Sequence, residues 1–256
     1  MGYFAARSAP LGMVAREVVT AIFYNFAPER VAKALPAAWE IAGPEAALRA
    51  RQESAVAALR RYGIAADENV AVAAELAGKA ARQAPLDGRP LFAANLALPW
   101  PEDPLSALWH ATTLLREQRG DAHVAVLAAA GISGRESNVL HAAAGRVQRD
   151  YIARTRDYDE AAWHHHEERL AERGLLNDDG SLTEAGRKLK DHIESSTDGL
   201  ALSALDALTD DEVETLFQAL TPITRAVVAG GDVPAVTPMS LRRDDLDDGS
   251  AHLDNA

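Results

Sequence analysis

Three histidines and one aspartate in the first two-thirds of the chain carry side chains that could bind a metal ion. His110, His123 and His141 lie in predicted helices, and Asp121 lies two residues before His123. Imidazole and carboxylate groups on facing helices of a bundle suit zinc, iron or manganese. The spacing matches no fixed motif, so the alternative is that each histidine is a packing or surface residue. A divalent metal is the expected cofactor only if these four side chains converge.

A run of three consecutive histidines is a weaker candidate for metal binding. Side chains at successive helical positions point about 100° apart, so His164, His165 and His166 cannot all bind one ion. We expect His166 to lie on the apolar side of its helix and the other two to face solvent.

The composition excludes several other classes of site. The chain has no cysteine, which excludes disulfides and thiolate metal sites. It also lacks a phosphate-binding loop, a Gly-x-Ser-x-Gly elbow and a Gly-x-Gly-x-x-Gly fingerprint. The net charge of −12 disfavours a simple polyanion binder unless positive charge is concentrated locally. No apolar run approaches the roughly 20 residues of a membrane span, and no signal peptide is evident, so we expect a cytoplasmic protein.

The hydrophobic spacing predicts the elements that must position these residues. The fold class is mainly α, with a helical bundle over 1–130 in which Gly120 interrupts a long helix. A C-terminal helix is expected over 206–230, with an apolar stripe that would pack on the bundle or form a homodimer seam. Residues 239–256 are polar and acidic and are predicted to be a disordered tail.

Residues 131–205 have the layout of a winged helix-turn-helix. A short helix near 148–155 is followed by a second helix near 158–173, for which Asp157 is the predicted N-cap. The segment 175–183 predicts one small β-hairpin, because its Asp-Gly turn tolerates positive φ. The second helix would then be the recognition helix, and the hairpin would be the wing.

Two sets of sequence strings resemble known families. LAERGLL at 170–176, followed by DGSLTEAG at 179–186, resembles MarR-like regulators. YFAARSAPLG, FYNF and WHATTLLREQRGDAH, all nearer the N-terminus, are similar to an actinobacterial family of uncharacterised helix-turn-helix proteins. The resemblance implies a fold but no reaction. Typical members begin with a further helical segment and carry histidine in place of Gln118, so the chain is expected to start inside the family pattern.

Four arginines on or near the two predicted helices are candidate DNA contacts: Arg149, Arg154, Arg156 and Arg169. Residues 151–200 nevertheless contain seven lysines and arginines against twelve acidic residues. A net-negative surface weakens phosphate binding, which supplies most non-specific affinity. The alternative is that these arginines form ion pairs on a solvated face.

The sequence therefore leaves three functions open. The first is a ligand-responsive DNA-binding transcription regulator, in which the winged helix reads double-stranded DNA and the bundle holds a small-molecule effector. The second is a metal- or small-molecule-binding protein, or an enzyme, that keeps the winged helix as a scaffold. The third is a protein-interaction module that uses the exposed acidic wing.

Overall fold

The computed structural model describes residues 2–237 and 241–243, which are mainly helical, as the sequence predicts. Its α-helices are α1 (Gly2–Ser8), α2 (Arg16–Ile22), α3 (Pro28–Ala34), α4 (Ala37–Ile41), α5 (Pro44–Arg61), α6 (Glu68–Gln83), α7 (Pro90–Leu96), α8 (Pro104–Ala129), α9 (Gly134–Ala143), α10 (Arg149–Arg156), α11 (Glu160–Glu172), α12 (Glu184–Leu202) and α13 (Asp210–Ala229). Short 3₁₀ segments follow α1 and α12. Across these described ranges, no helix is both long and apolar enough to cross a membrane.

The central element is α8, against which α5, α6, α7 and α12 all pack. Small residues allow the closest of these approaches: Ala73, Ala77 and Ala81 recur every fourth residue of α6 and are fully buried. On α8, Ala111 and Leu114 are equally buried. Alanine suits this contact because it combines high helix propensity with a side chain small enough for neighbouring axes to approach closely.

The predicted break at Gly120 is wrong, because α8 runs without interruption from Pro104 to Ala129. A Cβ atom on Gly120 would meet only Glu117 Oε2, at an ordinary 3.7 Å. Glycine is tolerated inside a helix at a cost of about 1 kcal/mol relative to alanine. The packing on both sides of α8 outweighs that cost.

The C-terminal helix α13 packs on the bundle, which is one of the two alternatives for its apolar stripe. Leu216 and Ala219 are buried against α6, and Leu220 and Ile223 pack beside them. Polar contacts reinforce the docking, since Asn69 Nδ2 on α6 donates to the carbonyl of Ala219 at 2.8 Å. The apolar stripe of α13 thus packs against helices of its own chain.

A second core joins α8, α9, α10, α11 and α12. It contains Leu127, Ile132, Trp163, Leu170 and Ile193, with Tyr24 packed against its side. The hydroxyl of Tyr24 donates to the carbonyl of Ile132 at 2.8 Å. The N-terminal segment and α8 therefore both contribute to the core that holds the proposed helix-turn-helix.

The turn between α10 and α11 differs from the predicted one by two residues. Asp157 adopts a left-handed conformation, with φ of 59°, and ends α10. The helix cap is instead Asp159, whose side chain accepts from the backbone N–H of Ala162 at 2.7 Å. The prediction that Asp157 caps the second helix is therefore wrong, although the helix itself forms.

The predicted hairpin is reduced to a single antiparallel bridge. Leu176 pairs with Leu182, and the N–H of Asn177 donates to the carbonyl of Ser181 at 2.9 Å. In the described ranges, pairing of this kind occurs only as isolated bridges. Both leucines are buried in the second core, which fixes the position of the intervening loop.

The predicted acidic tail lies outside the described residues, apart from its residues 241–243. These pair with residues 235–237, through a bridge between Val236 and Arg242.

Candidate nucleic-acid interface

Helices α10 and α11, which the sequence predicts to be the helix-turn-helix, have one buried and one open face. Ile152, Trp163 and Leu170 anchor the two helices in the second core. The indole N–H of Trp163 donates to Glu167 Oε1 at 2.7 Å, which satisfies its polar atom. The opposite side of α11 faces solvent, so a helix surface is available to an external partner.

Two of the four predicted DNA-contacting arginines lie on the surface of α10 and can turn toward a partner. Arg149 donates to Glu160 Oε2 at 2.8 Å, and both side chains are well exposed. Exposed ion pairs contribute about 0–1 kcal/mol, so a phosphate could replace this carboxylate at little cost. Arg154 is exposed beside the ring of Tyr151 and forms no ion pair within the described part of the chain.

The other two predicted arginines are committed to contacts within the protein. The guanidinium of Arg156 lies 4.1 Å from the ring centre of Phe26, and burial lowers the pKa of Arg156. Arg169 Nε donates to Glu136 Oε1 at 3.1 Å. In the structure, Arg156 therefore packs on an aromatic ring and Arg169 forms an ion pair.

Glu136 is the buried anchor that holds Arg169. Its other carboxylate oxygen accepts from the N–H of Ser133 at 2.8 Å and lies 3.8 Å from Arg173. Burial alone would raise the pKa of Glu136, but the bonds from Ser133 and the charges of the two arginines hold it below its ordinary value. Withdrawing Arg169 would leave a desolvated carboxylate with fewer partners, which is unfavourable.

The open face of α11 is mainly acidic. Its exposed residues are Glu160, Ala161, His164, His165, Glu168, Arg169 and Glu172. His164 lies 3.2 Å from Glu168, and the loop that follows the helix adds exposed Asp178 and Asp179. As expected, His164 and His165 face solvent, whereas the Nδ1 atom of His166 is buried. Any duplex on this face must be held mainly by cations outside α11.

The fold brings further cations to the turn that the sequence pattern did not identify. Arg30 and Lys33 of α3 approach Asp157 at 2.7 and 3.8 Å. Arg187 of α12 is exposed and donates to the carbonyl of Leu182 beside the bridge, at 2.7 Å. No local sequence signal could reveal the α3 contacts, because more than 120 residues separate the partners.

The four predicted metal ligands do not form one site. His110 and His123 are 13 residues apart on the uninterrupted α8, so the helical rise separates them by about 20 Å. Asp121 instead accepts from the backbone N–H groups of Leu91 and Phe92 at the start of α7, at 2.9 and 2.8 Å. Among the residues that the structure describes, no group of three or more histidine and acidic side chains is arranged to hold a metal ion.

The predicted ligands have perturbed ionisation for local reasons. Burial, together with the nearby charges of Arg51 and Arg82, lowers the pKa of His110 to about 4. Burial also lowers the pKa of His141 to about 4, with repulsion from Lys190. Both imidazoles are therefore neutral at pH 7. Burial raises the pKa of Asp121 to about 6, although the two N–H groups of α7 oppose that rise.

His123 takes part in a separate contact between α8 and α12. Its Nδ1 atom lies 3.0 Å from the hydroxyl oxygen of Thr197, which itself donates to the carbonyl of Ile193. Of the predicted ligands, His123 and His141 are within electrostatic range of each other.

Comparison with known proteins gives one match. A family model described as a helix-turn-helix family matches residues 1–234. No curated protein and no solved structure matches the chain.

Proposed function

The chain belongs to the helix-turn-helix family, and from this premise we propose that it is a DNA-binding transcription regulator. The main support within the structure is the α10–α11 pair, which is anchored in the second core and presents the outer face of α11 to solvent. In proteins of this kind the second helix enters the major groove while the first contacts the backbone. We assign these roles to α11 and α10.

The proposed binding unit is a winged helix similar to that of MarR-like regulators. The loop between Leu176 and Leu182 serves as a minimal wing, fixed by the bridge at its base. It is supported from below by α12, since Gly186 approaches the carbonyl of Leu175 so closely that a Cβ atom would lie 2.1 Å from it. Arg187 adds a positive charge beside this loop.

Phosphate contacts in this proposal come from Arg149, Arg154 and Arg187. Their side chains are exposed, and the only carboxylate paired with any of them in the described residues is the exposed Glu160. Three phosphate contacts correspond to a logarithmic salt dependence with a slope of about −3. The acidic residues of α11 oppose binding, so affinity is expected to be modest and to fall steeply as salt rises.

Fluorescence anisotropy with a labelled duplex from the gene's own upstream region tests the proposal. Wild-type protein should bind at about 50 mM salt and lose affinity by about 200 mM. The double variant Arg149→Gln/Arg154→Gln should bind at least about tenfold more weakly, and its salt slope should fall by about two, one for each lost contact.

The matched control is Arg49→Gln/Arg60→Gln on α5, which removes two well-exposed arginines far along the chain from the helix-turn-helix. This control should bind like the wild type. Absence of binding at low salt, or an equal loss in both double variants, would eliminate the regulator proposal.

The acidic face of α11 provides a second test. If this face approaches DNA, Glu168→Gln/Glu172→Gln should raise duplex affinity several-fold, because two carboxylates no longer repel the phosphates. An unchanged affinity would place the duplex elsewhere and would favour a basic protein partner for α11.

The remaining part of the proposal is that a small-molecule effector alters DNA binding, and helix α8 is the element through which it would act. Helix α8 packs within the bundle along most of its length, and its Leu127 lies in the core of the helix-turn-helix. An effector that shifts α8 would therefore act directly on the packing of α10 and α11.

A further inference from the structure

Three arginines surround one buried glutamate where α1, α5 and α8 meet. We call Arg7, Arg51, Arg116 and Glu117 the arginine cluster. Arg7 contacts both carboxylate oxygens of Glu117, at 3.2 and 2.5 Å. Arg116 donates to the first of these oxygens at 2.7 Å, and the Glu117 side chain is only 4% exposed.

Arg51 completes the cluster from α5. It donates to the carbonyl of Ala6 and to the side-chain oxygen of Asn95, both at 3.1 Å. Its guanidinium carbon lies 5.1 Å from the ring centre of Trp109. Arg51 thus bridges α1 and α7 above an aromatic side chain of α8.

Among the residues that the structure describes, positive charge exceeds negative charge around the arginine cluster. Three guanidinium groups lie near two carboxyl groups, those of Glu117 and Asp121, which leaves one positive charge in excess among the described residues. The carboxylate of Asp121 accepts from the N–H groups of α7 and not from an arginine, and although burial raises its pKa to about 6 it is mostly ionised at pH 7. Burial lowers the pKa of Arg51, and repulsion from Arg7 and Arg116 lowers it further despite the attraction of Glu117. Partly buried charge without a counter-ion is unfavourable.

Two buried polar atoms in the same region have no hydrogen-bond partner. The Nε atom of Arg51 is buried and makes no hydrogen bond. His110, which is 3% exposed and lies within electrostatic range of Arg51, likewise has an unpartnered Nε2 atom. Buried polar groups are normally hydrogen-bonded, so two such atoms beside unbalanced charge distinguish this cluster from an ordinary ion pair.

We propose that the arginine cluster binds an oxyanion, the carboxylate or phosphate group of a small molecule. Arg116, with half its side chain exposed, and Arg7, with 21% exposed, form the accessible side of the site, and Arg51 forms its base. Planar guanidinium groups suit this ligand because they donate two parallel hydrogen bonds to an oxyanion. The half-buried ring of Trp109 offers a surface for the apolar part of the molecule.

Isothermal titration of the whole protein with sodium phosphate and, separately, with sodium succinate tests this site. Ionic strength is held constant with chloride, so that only specific binding produces a saturable signal. At least one anion should bind with a dissociation constant in the millimolar range or tighter. The anion that binds more tightly identifies the ligand as a phosphate or a carboxylate.

Two variants and one control locate the binding. Arg116→Gln should weaken the tighter anion at least about tenfold, and because this residue is half exposed the variant should keep the wild-type circular dichroism spectrum. Arg51→Lys keeps the charge but loses the planar guanidinium group and its parallel donors, so it should also weaken anion binding. Arg49→Gln, an exposed change on the same helix as Arg51, should leave the dissociation constant unchanged.

Saturable binding by neither anion would overturn the site, and so would equal affinity in the Arg116→Gln and Arg49→Gln variants. Because no DNA is present, this result is independent of the regulator proposal. Only the further step, that the anion controls DNA binding through α8, rests on the proposed function.

Discussion

Two glycines at helix starts allow backbone segments to approach more closely than any other residue would permit. A Cβ atom on Gly134 would lie 1.8 Å from the carbonyl oxygen of Tyr24, and one on Gly186 would lie 2.1 Å from that of Leu175. The first contact joins the N-terminal segment to α9, and the second joins α12 to the bridge. Neither neighbour can move aside easily, because each is backbone rather than a flexible side chain.

Gly134→Ala should destabilise the protein by more than ~3 kcal/mol, because relief of the clash requires backbone movement in a packed core. Urea unfolding followed by circular dichroism measures this change. Gly199→Ala on α12 is the matched control, since a Cβ atom there meets nothing within 4 Å. The control should raise stability by up to ~1 kcal/mol through helix propensity. Similar unfolding midpoints for the two variants would contradict the close approach.

His110 should make the protein sensitive to acid. Burial lowers its folded-state pKa to about 4 from an ordinary 6.5, so between these values the unfolded chain binds a proton that the folded chain does not. Stability must therefore fall as pH drops through this window. Between pH 6.5 and 4, the free energy of unfolding of His110→Leu should fall less than that of the wild type. The difference between the two decreases should be on the order of 2 kcal/mol.

Urea unfolding at a series of pH values measures the effect of His110. Asp121 acts in the opposite direction, because its folded pKa of about 6 lies above its ordinary value and its protonation favours the folded state. Asp121 is present in both proteins, so its contribution cancels in the comparison. Parallel pH profiles for wild type and His110→Leu would show that His110 is not responsible.

At the scale of the element, α8 determines which predicted site residues can meet. Because the helix passes through Gly120 without a break, His110 and His123 remain about 20 Å apart along its axis. The same continuity places His110, Glu117 and Asp121 along one buried side of the helix. Helix α8 thus separates the proposed metal ligands and contributes Arg116 and Glu117 to the arginine cluster.

Gly120→Ala distinguishes a continuous α8 from a broken one. In a continuous helix the substitution should stabilise the protein by up to ~1 kcal/mol, because alanine has the higher helix propensity and the added Cβ atom has room. Thermal unfolding measures the change. A clear loss of stability would indicate that Gly120 adopts a conformation that only glycine tolerates.

Local sequence patterns predict the helical fold but not the contacts of the site. Asp67, Asp103 and Thr209 are residues of the types that favour the N-cap, and each caps its helix, because a cap depends on residues within one turn. The start of α11 was misplaced by two residues because the adjacent Tyr158 docks on α9, where its hydroxyl donates to the carbonyl of Arg135. That contact between distant segments selects Asp159 as the cap.

The roles of the predicted arginines depended even more on distant residues. Arg169 pairs with a glutamate 33 positions away, and Arg156 stacks on Phe26 of the N-terminal segment. The sequence indicated that arginines cluster near the helix-turn-helix. Only the fold shows which of them are free to turn toward a partner and which are held by contacts within the protein.

At the scale of the whole molecule, the bundle and the helix-turn-helix share structural elements. Leu127 of α8 lies in the same core as Trp163, and Tyr24 reaches this core from the N-terminal segment. Helix α12 packs along α8 as well. The two parts should therefore unfold together.

Leu127→Ala tests this coupling. Loss of a large buried side chain should destabilise the protein by about 2–5 kcal/mol, and it should do so in both parts. Hydrogen exchange of α6 in the bundle and of α11 in the helix-turn-helix measures the effect, and protection should fall in both. A loss of protection confined to α11 would show that the two parts unfold separately.

The shared core has a practical consequence for the expression of fragments of this protein. A polypeptide beginning at residue 131 would carry every arginine proposed to touch a duplex, yet it would lack Leu127 and Tyr24. Part of the core that contains Trp163 would then be exposed to water. Such a fragment should aggregate or stay unfolded at ordinary temperatures. Tests of the proposed DNA binding should therefore use the whole chain.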